Sequence, residues 1–243
     1  MIYICVPTHD EERTIGLLLW KVRRVMADFE RDYEIVVFDD ASTDETPEVL
    51  ERYAPMLPLR VLRSDQRIGF GAAVERLLRD VVERSDYPKR DVAVTLQGDL
   101  TEDPADLVDM VKAIEGGADL VAGAVSEEND ALPFKVRLLR RLASWILGPA
   151  HSDAPVADPL SGFRAYRLIV LKKAFREAGE GGPLLGQDGW AANFELLVRA
   201  APHTRRLAES PYRLRLEHRP RSSRVRPVHD LKALLPLRRT SWA

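Results

Sequence analysis

Short apolar runs alternate with amphipathic stretches through the first half of the chain. Ile2-Tyr3-Ile4-Cys5-Val6 reads as a β-strand stopped by Pro7. Tyr33–Phe38, Leu59–Leu62, Asp91–Leu96 and Ala118–Gly123 read as four more. Between them lie helical patterns. One follows the polar turn Thr8-His9-Asp10-Glu11-Glu12 and runs to about Ala27. One starts at Thr43-Asp44-Glu45-Thr46-Pro47, with capping residues and a proline near its first turn. Others open at Ile68-Gly69-Phe70-Gly71-Ala72-Ala73 and at Pro104. Regular alternation of strand and helix predicts an α/β fold, a mostly parallel, Rossmann-like sheet flanked by helices. The strands are almost continuously apolar, as expected where both faces are covered.

The pattern changes after Gly123. Ser126–Asp130 is a polar loop, and Pro133–Leu147 reads as a helix. Phe134, Leu138, Leu142, Trp145 and Ile146 fall on one side of it, and Lys135, Arg137, Arg140 and Arg141 largely on another. Such a helix fits a membrane interface, or a surface position with its apolar stripe packed on the sheet. Residues 148–165 read as loop, with helices near 166–178 and 189–201. The glycine-rich stretch from Gly179 to Gly189 is a candidate mobile linker. Tyr212-Arg213-Leu214-Arg215-Leu216 alternates like a strand and leads into a basic tail.

Composition narrows the classes. The 243 residues are 45% hydrophobic and 30% charged, with a net charge of −2, as in an ordinary globular protein. From residue 201 onward 11 Lys or Arg stand against 3 Asp or Glu, a local balance of +8. That tail would attract phosphates or an anionic lipid surface. Aromatic residues are not interleaved with it in the way that stacks bases, so nucleic acid is not an expected partner. The single Cys5 allows no internal disulfide and favours a reducing compartment. Residues 1–7 are too short for a signal peptide, and no apolar run approaches the roughly 20 residues that span a bilayer. The expected location is cytoplasmic, with any membrane contact peripheral, at the inner face.

Three acidic clusters end successive parallel strands or the turns after them: Glu11-Glu12, Asp39-Asp40 and Asp99. Parallel topology puts them at the sheet edge where open α/β folds bind ligands. Each cluster alone also fits a helix cap. Together they can bind sugar hydroxyls or the polar edge of a base, or hold a divalent cation through oxygen.

The motifs resemble those of the inverting family 2 glycosyltransferases of GT-A fold, nearest the dolichol-phosphate mannosyltransferase, or polyprenyl-phosphate, branch. Pro7-Thr8-His9-Asp10-Glu11-Glu12 resembles the family's opening turn, with Asp10 for the usual Asn. Asp39-Asp40-Ala41-Ser42-Thr43-Asp44 resembles Asp-Asp-Gly-Ser-x-Asp, and Arg67–Ala73 its Gly-x-Gly-x-Ala helix start. Asp158-Pro159-Leu160-Ser161-Gly162-Phe163-Arg164 is similar to the branch's Asp-x-x-Ser-Gly-Phe-Arg segment, and Phe194–Ala200 to the helix after it. Arg219-Pro220-Arg221-Ser222-Ser223-Arg224 stands where the branch has a basic loop.

The resemblance implies one GT-A domain over 1–243, with residues 1–124 as the nucleotide-sugar half and 125–243 as the acceptor half with its tail. It implies a nucleoside pocket of Pro7, Thr8, His9, Glu11, Asp39 and Asp40, with Gly69 and Gly71 giving close backbone approach to the nucleotide. Asp99 and Gln97 would face a metal-bound diphosphate, with Mg2+ or Mn2+ as cofactor and Asp99 its one anionic ligand. Ser161, Arg164, Arg219, Arg221 and Arg224 would serve acceptor and phosphate. Three departures stand out. Gln97-Gly98-Asp99 replaces Asp-x-Asp, and Thr101 stands where the branch often has Gln. Gly123-Ala124-Val125-Ser126 lacks the branch's phosphate-binding arginine, for which Arg137, Arg140 or Arg141 could substitute.

Three functions stay open. The first is transfer of a hexose-type sugar from a nucleotide sugar to a polyprenyl phosphate at a membrane. The second is transfer to a small-molecule or carrier-bound hydroxyl or amine, as in secondary metabolism. Asp188, in Gln187-Asp188-Gly189-Trp190, would then be general base, where other family members have a Glu-Asp segment. The third is a non-catalytic nucleotide-sugar-binding protein.

Overall fold

The computed structural model describes residues 1–125, 134–179, 181–216, 227–239 and 242. Its strands are β1 (Ile2–Thr8), β2 (Tyr33–Asp40), β3 (Leu59–Ser64), β4 (Val92–Thr95), β5 (Leu120–Val125), β6 (Arg164–Arg167) and β7 (Leu207–Tyr212). They form one sheet in the order β3-β2-β1-β4-β6-β5-β7. Only β6 runs antiparallel, between β4 and β5. The mostly parallel α/β sheet is therefore present, with one strand inserted against its direction.

The helices are α1 (Ile15–Phe29), α2 (Thr46–Tyr53), α3 (Phe70–Arg84), α4 (Leu107–Glu115), α5 (Phe134–Leu147), α6 (Pro149–Ser152), α7 (Leu168–Ala178), α8 (Gly189–Ala200) and α9 (Pro227–Ala233). Successive strand residues point to opposite faces, so each strand feeds two cores. Ile4, Val6, Ile35, Val37 and Val94 join residues of α1 and α4 on one side. Cys5, Val36, Phe38, Ala93 and Tyr166 join residues of α3, α7 and α8 on the other. A third, smaller core gathers Ala143, Leu147, Ala150, Leu160, Ala191, Phe194 and Leu234. Burial pushes the Cys5 thiol pKa up, which suits a packing residue rather than a reactive one.

Four sequence expectations change. Pro7 does not stop β1, which continues through Thr8. The Cys5 carbonyl accepts from the Leu96 amide, so Pro7, two residues on, faces the same side. Pairing with β4 has ended at Cys5–Thr95, and the missing N–H interrupts nothing there. The loop expected over 148–165 contains α6 and the start of β6. The strand expected at 212–216 lies upstream, where β7 pairs with β5 from Leu207 to Tyr212. Finally, the apolar side of α5 divides. Ala143 and Leu147 are buried and Ile146 packs on them, whereas Leu138, Leu142 and Trp145 face outward.

Candidate functional site

The carboxyl ends of β1 and β2 are laced together by side chains. His9 Nδ1 lies 2.8 Å from the Asp40 carbonyl. The Asp10 amide donates to Ser42 Oγ and the Glu11 amide to Thr46 Oγ1. In return, Asp10 accepts from the Thr43 amide and Glu12 from the Glu45 amide. Asp10, Glu12 and Asp44 thus act as caps and ties between two loops.

Asp39 and Asp40 are both buried. Asp39 Oδ1 accepts from the Ser42 amide at 3.0 Å, and its Oδ2 faces the Arg63 guanidinium at 3.3 Å. Asp40 reaches forward and accepts from the amides of Ile68 at 2.7 Å and Gly69 at 3.0 Å. These amides stand at the entry to α3, where unpaired N–H groups favour a carboxylate. Asp188 approaches the same helix start from elsewhere, its Oδ1 accepting from the Gly71 amide at 2.8 Å. It sits at the N-cap of α8 but makes no side-chain bond to that helix. Two acids 148 positions apart in number are thereby joined through one helix terminus.

The glycines at this start serve the loop behind them. Gly69 has φ +92°, and a Cβ there would meet Asp188 Oδ2 at 3.0 Å. A Cβ on Gly71 would lie 2.2 Å from the Gln187 carbonyl oxygen. The close approach expected toward a nucleotide is, at both positions, an approach to residues 187–188.

Asp99 belongs to the turn after β4. It is 1% exposed, and its Oδ1 accepts from the Thr101 hydroxyl at 2.6 Å and the Thr101 amide at 3.2 Å. Glu102, equally buried, accepts from the Gln97 amide at 2.8 Å. Gly98 presses this turn on β1: an added Cβ would meet Thr8 Oγ1 at 3.1 Å and Glu11 Cγ at 3.6 Å. Thr8 Oγ1 is itself buried without a hydrogen bond among the described residues. Arg215 ties the turn from outside, its amide donating to the Thr101 carbonyl and its guanidinium pairing with Asp103. Pro7, Thr8, His9, Glu11, Asp39, Asp40, Gln97 and Asp99 are therefore brought to one edge, with Gly69, Gly71 and Asp188 adjoining.

The donor set for a cation is small. Gln97 supplies an amide and Asp99 a carboxylate already engaged by Thr101. Among the described residues no group of three or more His, Cys, Asp or Glu could hold a metal ion. These side chains do not by themselves fit a divalent site.

Beside Asp188 opens a cleft of about 540 Å3, lined by Ile68, Ala72, Leu185, Asp188, Lys232 and Ala233 among others. Its loop is fixed rather than free. Glu75 Oε2 accepts from the amides of Leu184 and Leu185, and Glu195 Oε2 from those of Gly186 and Gln187, at 2.9–3.0 Å. Arg79 donates to the Gly182 carbonyl. Sequence reasoning did not single out Glu75, Glu102 or Glu195. The available signal for the first and last was an acid among the apolar positions of a helix.

Of the residues expected to serve acceptor and phosphate, the described ones are mostly engaged within the protein. Ser161 is buried against the Tyr212 hydroxyl. Arg164 is 1% exposed and donates to the carbonyls of Asn193 and Pro159, a core role in place of the expected phosphate contact. Arg140 is paired with Asp158. Arg141 is exposed. Arg219, Arg221 and Arg224 lie outside the described residues.

Comparison with known proteins adds a second line of observation. A model of glycosyl transferase family 2 matches residues 3–175. A dolichol-phosphate mannosyltransferase of Pyrococcus furiosus is 26% identical over 204 residues, which cover 82% of this chain and 52% of that protein. A dodecaprenyl-phosphate galacturonate synthase of Rhizobium johnstonii is 29% identical over 177 residues, 70% of this chain and 48% of its own. The chain spans about half the length of the curated relatives it matches. Among solved structures, glucosyl-3-phosphoglycerate synthase from Mycobacterium tuberculosis, in complex with Mg2+ and uridine-diphosphate, superposes with a TM-score of 0.64. That match covers 97% of this chain and 75% of the other at 22% identity, a likeness of fold.

Proposed function

The chain belongs to glycosyl transferase family 2, and on that premise we propose that it moves a hexose-type sugar from a nucleotide sugar to a polyprenyl phosphate at a membrane surface, with inversion. The observation that carries the reading is the convergence of four distant segments at one sheet edge. The 97–102 turn meets β1 at Gly98, β1 meets β2 at His9, and Asp40 and Asp188 meet at the start of α3. The acceptors in relatives' names support the lipid phosphate: dolichol-phosphate, dodecaprenyl-phosphate and undecaprenyl-phosphate.

In this reading Pro7, Thr8, His9, Glu11, Asp39 and Asp40 line the nucleoside side, and Gln97 and Asp99 face the diphosphate. Residues 1–124 form the donor half and 125–243 the acceptor half. The acceptor oxygen attacks the anomeric carbon as the nucleoside diphosphate leaves from the opposite face. The protein's part is alignment and charge placement. A phosphate monoester loses its second proton with a pKa of about 6, so this acceptor needs no base. A Mg2+ or Mn2+ ion would have to draw most of its ligands from the nucleotide, since the side chains do not supply them. Arg141, Arg219, Arg221 and Arg224 are the proposed phosphate contacts.

One observation favours a second reading. Asp188 borders the cleft with its carboxylate held in a fixed position, as a general base for a neutral hydroxyl or amine would be. Asp188→Asn keeps an oxygen for the Gly71 amide and removes the base. The test is a donor screen with undecaprenyl phosphate and with neutral acceptors, reading glycosylated product by mass spectrometry. The lipid reading expects an organic-extractable glycosyl phosphate and an Asp188→Asn rate within about threefold of wild type. Product only on neutral acceptors, with a loss of roughly 100-fold or more in Asp188→Asn, would replace it. Donor binding without transfer to any acceptor would indicate a non-catalytic sugar-nucleotide binder.

A further inference from the structure

Leu138, Leu142 and Trp145 follow one another at helical offsets of four and three, so they share one face of α5. They are 44%, 38% and 80% exposed. This stripe is not the inward side of the helix, because Ala143 and Leu147 on another side are fully buried in the third core. Trp145 is the more unusual for comparison with Trp20. The latter is 46% exposed and lies under the Arg24 guanidinium, whereas Trp145 has no such cover among the described residues.

The charge beside the stripe has one sign. Helix α5 carries Lys135, Arg137, Arg140 and Arg141 and no acid. Arg140 is neutralised by Asp158. Arg137 and Arg141, one turn apart on one flank of the stripe, are exposed and make no ion pair among the described residues. An apolar strip with an indole at its end and unneutralised guanidinium groups alongside suits a bilayer interface rich in anionic headgroups. No described helix is long and apolar enough to cross a membrane.

We propose that the outer face of α5, through Leu138, Leu142 and Trp145 with Arg137 and Arg141 beside them, docks this protein on an anionic lipid bilayer. The inference deepens the lipid-acceptor reading and rests on it for its purpose, but its test uses neither donor nor acceptor. The full chain is sedimented with vesicles of phosphatidylcholine alone and with vesicles of phosphatidylcholine and phosphatidylglycerol in equal parts. Wild type is expected to partition onto the anionic vesicles and to be released by salt. The double variant Leu142→Ser/Trp145→Ser should lower the partition about tenfold or more, with an unchanged melting temperature because both side chains are exposed. Arg137→Gln/Arg141→Gln should lower it by roughly fivefold per arginine and flatten the salt dependence.

Equal partition of wild type and Leu142→Ser/Trp145→Ser would overturn the proposal, as would wild type remaining in solution with both vesicle types. A concentration-dependent dimer that Trp145→Ser dissolves, without vesicle binding, would assign the face to a second copy instead. Nucleotide-sugar binding by wild type is measured in parallel without lipid. Its loss alone would sink the transferase reading and leave the docking result standing.

Discussion

At the residue scale the site depends on atoms that are missing as much as on those present. Gly71 has no Cβ because the Gln187 carbonyl occupies that space at 2.2 Å. Gly71→Ala should displace the 187–188 loop, and with it Asp188, at a cost of about 1–3 kcal/mol, read as a lower midpoint in urea unfolding. Asp40 uses both oxygens on two amides. Asn offers one, so Asp40→Asn should leave an amide unpaired and destabilise by about 1–3 kcal/mol, with weaker nucleotide binding besides. The acids at strand ends were legible in the sequence because parallel strands deliver their carboxyl ends to one side. What each acid grips was not. Asp188 reads locally as a cap for its own helix, and only the tertiary fold turns it toward the start of α3. Gly98 looks like a motif spacer until Thr8 is found 3.1 Å from where its side chain would begin.

At the level of elements, propensity and packing part company in two places. Arg164-Ala165-Tyr166-Arg167 has arginine at both ends and no apolar run, so nothing local marks it as β6. Its strand form is imposed by β4 and β5 on either side, and the two terminal nitrogens of the buried Arg164 guanidinium donate to backbone carbonyls, while its Nε has no partner among the described residues. The stretch after Gly179 looks mobile by composition, yet Glu75 and Glu195 take four consecutive amides from Leu184 to Gln187. Glu75→Gln with Glu195→Gln should speed hydrogen exchange at these four amides by about tenfold or more, while exchange in β1 and β2 stays unchanged.

The turn into α4 carries a titration. Burial, with the nearby Asp103 charge, raises the Asp106 carboxyl from 3.8 to about 6. A carboxyl that holds its proton more tightly when folded stabilises less as pH climbs from about 4 to 6. Asp106→Asn should therefore gain about 1 kcal/mol at pH 7, after allowance for solvent screening of a partly buried group, and nothing at pH 3. Thermal melts at the two pH values read the difference. A gain of the same size at both would show that the raised pKa is not its source.

Across the whole molecule, one sheet collects strands from Ile2 to Tyr212, and side-chain ties carry the convergence further than topology alone. The alternation of apolar runs made the parallel half readable, since β1, β2, β4 and β5 are buried on both faces and each helix on one, with β3 at the sheet's exposed edge. The second half was less readable because α5, α6 and α9 pack on a separate small core and its strands enter an existing sheet. Those features answer to neighbours rather than to local pattern. In the proposed function one sheet edge, from Thr8 through Asp40 to Asp99, receives the nucleotide of a sugar donor. A crystal structure with a nucleoside diphosphate bound would decide this. The nucleoside is expected against Pro7–Glu11 and Asp39–Asp40, with its diphosphate beside Gln97 and Asp99. Occupancy confined to the cleft between Ile68, Leu185 and Lys232, with the strand ends untouched, would contradict it.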